Sequence, residues 1–270
     1  APQLWHVGGI RKPGSDGPIM DLPGYSPSGT AVPGKQTGHT MTQEDIDETV
    51  QAFIDAALSA QKIGCDAIEI HGAHGYLVDQ FFWQGTNQRD DQYGGSMQNR
   101  SRFAIEIIKG IRAACGPDFP IILRWSQWKQ QDYSARLVTT PEAMADFLLP
   151  LSEAGVDIFH CSTRRFWEAE FEGSELNLAG WTHKITGKPS IAVGSVGLNS
   201  DFLPEAGATT FKEGEPASLD NLVHRISNNE FDLVAVGRAL IANPDWANKI
   251  KYNQTDQLKP YNTDALMKLV

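Results

Sequence analysis

The stretch Ile68-Glu-Ile-His-Gly-Ala-His-Gly-Tyr-Leu77 opens as a buried strand and closes in two histidines and a tyrosine spaced by glycines. A helix pattern comes just before it. Thr42-Gln-Glu-Asp45 reads as a capping box, and Ile46, Val50, Phe53, Ile54, Ala57 and Leu58 share one face before Gly64 stops the helix. The alternation then repeats. Phe103, Ile107, Ile108 and Ile111 predict a helix ended by Cys115-Gly-Pro117. Thr140-Pro141 opens another, carried by Met144, Phe147, Leu148 and Leu151 and closed at Gly155. Leu219, Leu222, Val223 and Ile226 make a further short one. Between them the segments 3–7, 67–70, 120–125, 156–160, 189–193 and 233–236 are apolar on both faces, as parallel strands covered on both sides must be. Alternating strand and helix predicts βαβ units in one α/β domain over residues 1–270, with long Gly/Pro-rich loops at 8–41 and 71–96.

Polar residues gather where these strands end: His71 and His74, Arg124, His160 to Arg165, Gly194-Ser-Val-Gly197 and Gly237-Arg238. An open doubly wound sheet would gather its site at one switch point. Here nearly every strand contributes, the habit of a TIM (β/α)8 barrel with its site at the C-terminal ends of the strands. Six strands are legible, so about six of the eight βα units are expected in this chain.

The net charge of −10 argues against nucleic acid or an anionic membrane as the main partner, because both require a basic footprint. No apolar run approaches the roughly 20 residues that span a bilayer. Cys65, Cys115 and Cys161 are scattered and odd in number, which fits a reducing, cytoplasmic setting and offers no zinc or iron–sulfur cage. Whether the chain is a monomer or a homodimer is left open by the sequence.

The candidate residues suggest their chemistry. His71 and His74 lack the four-residue step of a helical metal pair, and no third ligand accompanies them. As pocket donors they suit a carbonyl or nitro oxygen that gains negative charge, and Tyr76 could deliver a proton beside them. Gly194, Ser195, Val196 and Gly197 after one strand, with Gly237 and Arg238 after the next, fit a phosphate site built from backbone N–H groups and a guanidinium. Arg124 sits on a central strand, where an unpaired charge is costly, and is either an internal ion-pair partner or a counter-charge to an electron-accepting ring. Gln3 carries both a donor and an acceptor, as a pyrimidine edge requires.

In this order these residues resemble the old yellow enzyme family of flavin-dependent ene-reductases. The resemblance rests on Gln3-Leu-Trp-His6, His71-Gly-Ala-His-Gly-Tyr-Leu77, Arg89-Asp-Asp-Gln-Tyr-Gly-Gly-Ser-Met-Gln-Asn-Arg100, Leu123-Arg124, Val193-Gly-Ser-Val-Gly197, Val236-Gly-Arg238 and Asn243-Pro-Asp245. It implies an FMN-containing TIM barrel using NADPH or NADH. Gln3 and Arg124 would meet the flavin, residues 194–197 with Gly237 and Arg238 its phosphate, and His71 and His74 the substrate oxygen. Tyr76 would protonate an activated alkene during ping-pong reduction. Two departures stand out. The family's Gln-Leu-Trp-His-x-Gly-Arg reads Gln-Leu-Trp-His-Val-Gly-Gly here, and the first two βα units of the barrel are missing. A fragment of a longer reading frame is therefore expected, one that alone would aggregate and hold FMN weakly. Other flavin- or phosphate-binding barrels, and a non-catalytic binding module, are the alternatives.

Overall fold

The computed structural model describes residues 1–11, 22–202 and 212–267. Its centre is a parallel sheet of six strands in sequence order: Gln3–Leu4, Ile68–His74, Ile121–Lys129, Ile158–Ser162, Ser190–Val193 and Leu233–Val234. All pair with their sequence neighbours, and among the described residues the first and last strands are not joined, so the sheet is an open arc of a barrel.

Register places the side chains. Gln3 pairs with Glu69, His71 with Arg124, Arg124 with His160, and His160 with Ile191. Alternate residues face opposite sides of a strand, so Glu69, His71, Arg124, His160 and Ser162 share the concave face. Ile68, Ile70, Leu123, Trp125, Phe159 and Cys161 face outward and are buried. The outer face is closed by helices Gln43–Lys62, Met97–Cys115, Pro141–Ala154 and Leu178–Thr186. Trp125 meets Phe147 of the third at 5.4 Å between ring centroids. The concave face is less protected, and Leu233 is 50% exposed.

The expected helix boundaries hold because local chemistry sets them. Thr42 Oγ1 accepts from Asp45 N–H while the Asp45 carboxylate accepts from Thr42 N–H, the reciprocal capping box. Ser96 and Thr140 cap the second and third helices, and Gly116 and Gly155 end them.

Several expectations need correction. The 3–7 segment pairs only at Gln3–Leu4. The strands expected at 67–70 and 120–125 run on to His74 and Lys129. The loop expected at 71–96 contains the helix Leu77–Phe82, every residue of which is buried, and Leu178–Thr186 is a helix not anticipated. In helix Asp220–Ser227 only Leu222 is buried, whereas Val223 and Ile226 are exposed. Of the 8–41 loop, residues 12–21 lie outside the described residues. The rest forms short pairings, 25–26 with 39–40 and 30–32 with 35–36. Arg89 ties it down by donating to the carbonyls of Pro27 and Met41.

Candidate functional site

The strand ends enclose a cavity of about 460 Å³, within the size range of small-molecule sites. Gln3, His71, His74, Tyr76, Arg124, Gly194, Ser195, Val196, Gly237 and Arg238 all line it. Of the residues expected at the site, Gly197 alone is not part of the lining. It lies one residue beyond, at φ +74°, packed near the Trp246 indole.

His71 and His74 are three residues apart, and on a straight strand they would face opposite sides. The chain solves this with a register irregularity between Gly72 and His74 and with a left-handed His74, at φ +64°. The two rings then meet edge to face, their centroids 5.1 Å apart. Tyr76 follows at 5.0 Å from His71, and the exposed Trp5 ring edges Tyr76 at 5.0 Å. One wall thus carries two imidazoles and a phenol.

Both imidazoles are neutral at pH 7. Burial, with the nearby Arg124 charge second, lowers His71 to about 4, and the same two causes hold His74 well below its ordinary value. Ala73 N–H donates to His71 Nδ1 at 3.3 Å, so the neutral ring carries its proton on Nε2 and is a donor there. His74 Nε2 lies 2.7 Å from Ser162 Oγ, stacks on Trp128 at 4.5 Å, and has its backbone N–H on Ser126 Oγ at 3.0 Å.

The turn bearing Tyr76 is pinned from below. Asp79 accepts from Gly75 N–H at 2.7 Å and pairs with Lys129 Nζ at 2.8 Å, both side chains fully buried. Burial pushes the Asp79 carboxyl up and the Lys129 ammonium down, and their attraction opposes both shifts. Gln80 Oε1 accepts from Gly9 N–H while its Nε2 donates to Gly75 O. The glycine at position 9, where the resembling family has arginine, is thereby tied to the same turn. Gln130 Nε2 donates to the Tyr76 hydroxyl at 2.8 Å.

Arg124 reaches in from the floor. Its Nη2 lies 3.4 Å from Ser162 Oγ, and its Nε is buried without a partner. It forms no ion pair at contact distance among the described residues. Glu69, which raises its pKa against the lowering by burial, is the nearby counter-charge. Gly194 has φ +152°, and a Cβ there would meet Thr163 Oγ1 at 2.5 Å, so this turn requires glycine. A Cβ on Gly237 would meet nothing within 4 Å, which leaves its backbone open to the cavity. Arg238 braces the wall, donating to the carbonyls of Ser200 and Lys212.

These residues fit FMN: an orphaned buried guanidinium atom, an amide at the rim and open glycine backbone together match the polar parts of a flavin and its phosphate. Trp128, Gln130, Tyr133 and Ser162 also line the cavity, and the sequence reading had not assigned them a role. For Trp128 the signal was the alternation continuing from Arg124 along the strand Ile121–Lys129.

The loop between the strand and the Met97–Cys115 helix is a scaffold. Arg100 donates to Phe82 O and Gly95 O, and Asn87 to Phe81 O and Tyr93 O. No helix among the described residues is long and apolar enough to cross a membrane.

Comparison with known proteins agrees with this geometry. The NADH oxidase of Thermoanaerobacter brockii is 33% identical over 265 residues, covering 95% of this chain and 37% of that protein. The NADPH dehydrogenase of Clostridium acetobutylicum is 33% identical over 232 residues, covering 84% of this chain and 61% of that protein. The chain thus spans less than two thirds of these relatives. The old yellow enzyme homologue from Zymomonas mobilis superposes with a TM-score of 0.74 at 19% identity, covering 97% of this chain and 69% of that one. Morphinone reductase in complex with tetrahydroNAD superposes with a TM-score of 0.74 at 24% identity, covering 97% and 68%. The model of the NADH:flavin oxidoreductase / NADH oxidase family matches residues 2–257, and the chain belongs to that family, whose cofactor is FMN and whose reductant is NADH or NADPH.

Proposed function

We propose that this chain carries the flavin site of an NAD(P)H-dependent ene-reductase acting on the C=C bond of α,β-unsaturated carbonyl compounds, with nitro compounds as a further class, in a ping-pong cycle. The observation that carries the reading is the convergence of His71, His74 and Tyr76 on one wall of the cavity that Arg124 and the glycine turns also line.

Bound FMN supplies the hydride that NAD(P)H provides. The chain's own residues do the rest. His71, neutral with its proton on Nε2, donates to the substrate's carbonyl oxygen, with His74 beside it. Charge develops on that oxygen as the β-carbon is reduced, and fixed neutral donors stabilise it without losing their own protons. Tyr76 gives its hydroxyl proton to the α-carbon while Gln130 stabilises the phenolate oxygen that remains. Arg124 would set its positive charge against the flavin, and the 194–197 turn with Gly237 and Arg238 would hold the phosphate. The protein's share is binding, orientation and electrostatics. We further propose a single domain, a cytoplasmic setting and a small-molecule substrate as the partner.

The test is spectroscopic. With FMN bound, NADPH or NADH should bleach the flavin absorbance, and 2-cyclohexenone or N-ethylmaleimide should restore it under anaerobic conditions. Tyr76→Phe should slow the enone step by about a hundredfold or more while leaving bleaching unchanged. Recovery by air but not by enone would replace this reading with an oxidase. Equal loss of both steps in the variant would remove Tyr76 from proton transfer.

A further inference from the structure

One ionisable side chain near the cavity has no part in the reading above. Glu69 sits on the concave face two residues before His71, opposite Gln3 in the strand register. Its Oε1 receives Gln3 Nε2 at 2.6 Å, and its Oε2 lies 2.6 Å from His160 Nδ1. An ionised carboxylate only accepts hydrogen bonds. Burial works against the charge, but the His160 and Gln3 hydrogen bonds outweigh it, so the Glu69 carboxyl stays below its ordinary range. Gln3 must therefore turn its NH2 group to Glu69, and His160 must carry a proton on Nδ1. The other His160 nitrogen, Nε2, is buried without a partner. The orientation of the Gln3 amide is thus dictated by its neighbour.

We propose that Glu69 is a positioning residue: it holds the Gln3 amide with its carbonyl oxygen toward the cavity, so that the site selects a ligand edge bearing an N–H, the imide of an unsubstituted isoalloxazine. The inference rests on FMN meeting Gln3, and it adds a rule of selection that FMN binding alone does not contain. Glu69→Gln should relax it. The new amide both donates and accepts, so neither the His160 proton nor the Gln3 amide is held in one arrangement, and Gln3 can turn either end to the ligand.

The experiment is an equilibrium titration of the 270-residue chain with FMN and with N3-methyl-FMN, followed by flavin fluorescence. The unmodified chain should bind FMN at least about tenfold more tightly, because the methyl group removes one hydrogen bond and leaves the Gln3 oxygen unpaired. In Glu69→Gln the two affinities should converge to within about threefold, through weaker FMN binding. Glu69→Asp keeps an acceptor-only group and should keep the preference even where both affinities fall. A merely structural role for Glu69 would lower both flavins together and leave the ratio intact. Equal binding of the two flavins by the unmodified chain overturns the inference and leaves the cofactor assignment standing. Binding of neither, at flavin concentrations that saturate even a weak site, overturns the inference. Should Glu69→Gln fail to melt cooperatively, the ratios of the unmodified chain and of Glu69→Asp still decide: a ratio near one in both overturns the proposal.

Discussion

Lys129 and Asp79 are each 0% exposed and meet at 2.8 Å, so Lys129→Met strands a carboxylate in the interior. Breaking one side of a buried pair costs about 3–5 kcal/mol. The folded chain has one escape, which is to take up a proton on Asp79. From an ordinary carboxylate value near 3.9 that uptake costs about 4 kcal/mol at pH 7 and about 1.5 kcal/mol at pH 5, at 1.36 kcal/mol per unit. The loss should therefore be about 3–4 kcal/mol at pH 7 and shrink by about 2 kcal/mol at pH 5. Asp79 also holds Gly75 N–H, so the Tyr76 turn should loosen in the same variant. Urea unfolding followed by tryptophan fluorescence, at low protein concentration and at both pH values, reads the difference. Adding Asp79→Leu to Lys129→Met should recover most of the stability, since a neutral apolar pair replaces the ions. A loss below about 1 kcal/mol, or one independent of pH, would refute the charge-stranding explanation.

Two further outcomes are expected. His71 is held at about 4 against an ordinary 6.5, so the unfolded chain takes up a proton in that window while the folded chain does not. Stability should then fall as pH drops from 6.5 toward 4, by about 2 kcal/mol between pH 7 and 5 from His71, with His74 adding in the same direction. His71→Asn should flatten the urea-midpoint profile, and an unchanged slope would contradict the burial of a neutral ring. Gly194→Ala should destabilise by about 1–3 kcal/mol and weaken FMN binding, because the new methyl meets Thr163 Oγ1 at 2.5 Å and Thr163 O at 2.7 Å. Gly237→Ala, with open space around its Cβ, is the mild control, and equal melting temperatures for the two variants would sink the steric account.

Much of the frame was readable because it is local. The Thr42 capping box and the stops at Gly116 and Gly155 act within a few residues, and strand patterning survives without knowledge of partners. The gathering of polar residues at strand ends located the cavity for the same reason. What escaped depends on distant contacts. Lys129 lies beyond the strand expected at 120–125, and its partner Asp79 is 50 residues away. The Leu77–Phe82 helix is buried on every side and shows no amphipathic period. Nothing in the sequence spacing announces that His74 adopts a left-handed backbone, a conformation that only a few per cent of non-glycine residues take. The Glu69–Gln3–His160 chain needs the register of four strands before its members become neighbours.

That register has a consequence for how the molecule could go wrong. Arg124 and Trp125 are adjacent, one turned to the cavity and the other to the helices. A slip of one residue in the strand Ile121–Lys129 would exchange them, pushing an indole among the ligand groups and a guanidinium into an apolar layer. The same slip in its neighbours would evict His71 or His160. Competence at the cavity is therefore an all-or-none report on strand alignment: a misthreaded copy could keep its helices and its circular dichroism, yet it would have no site at all.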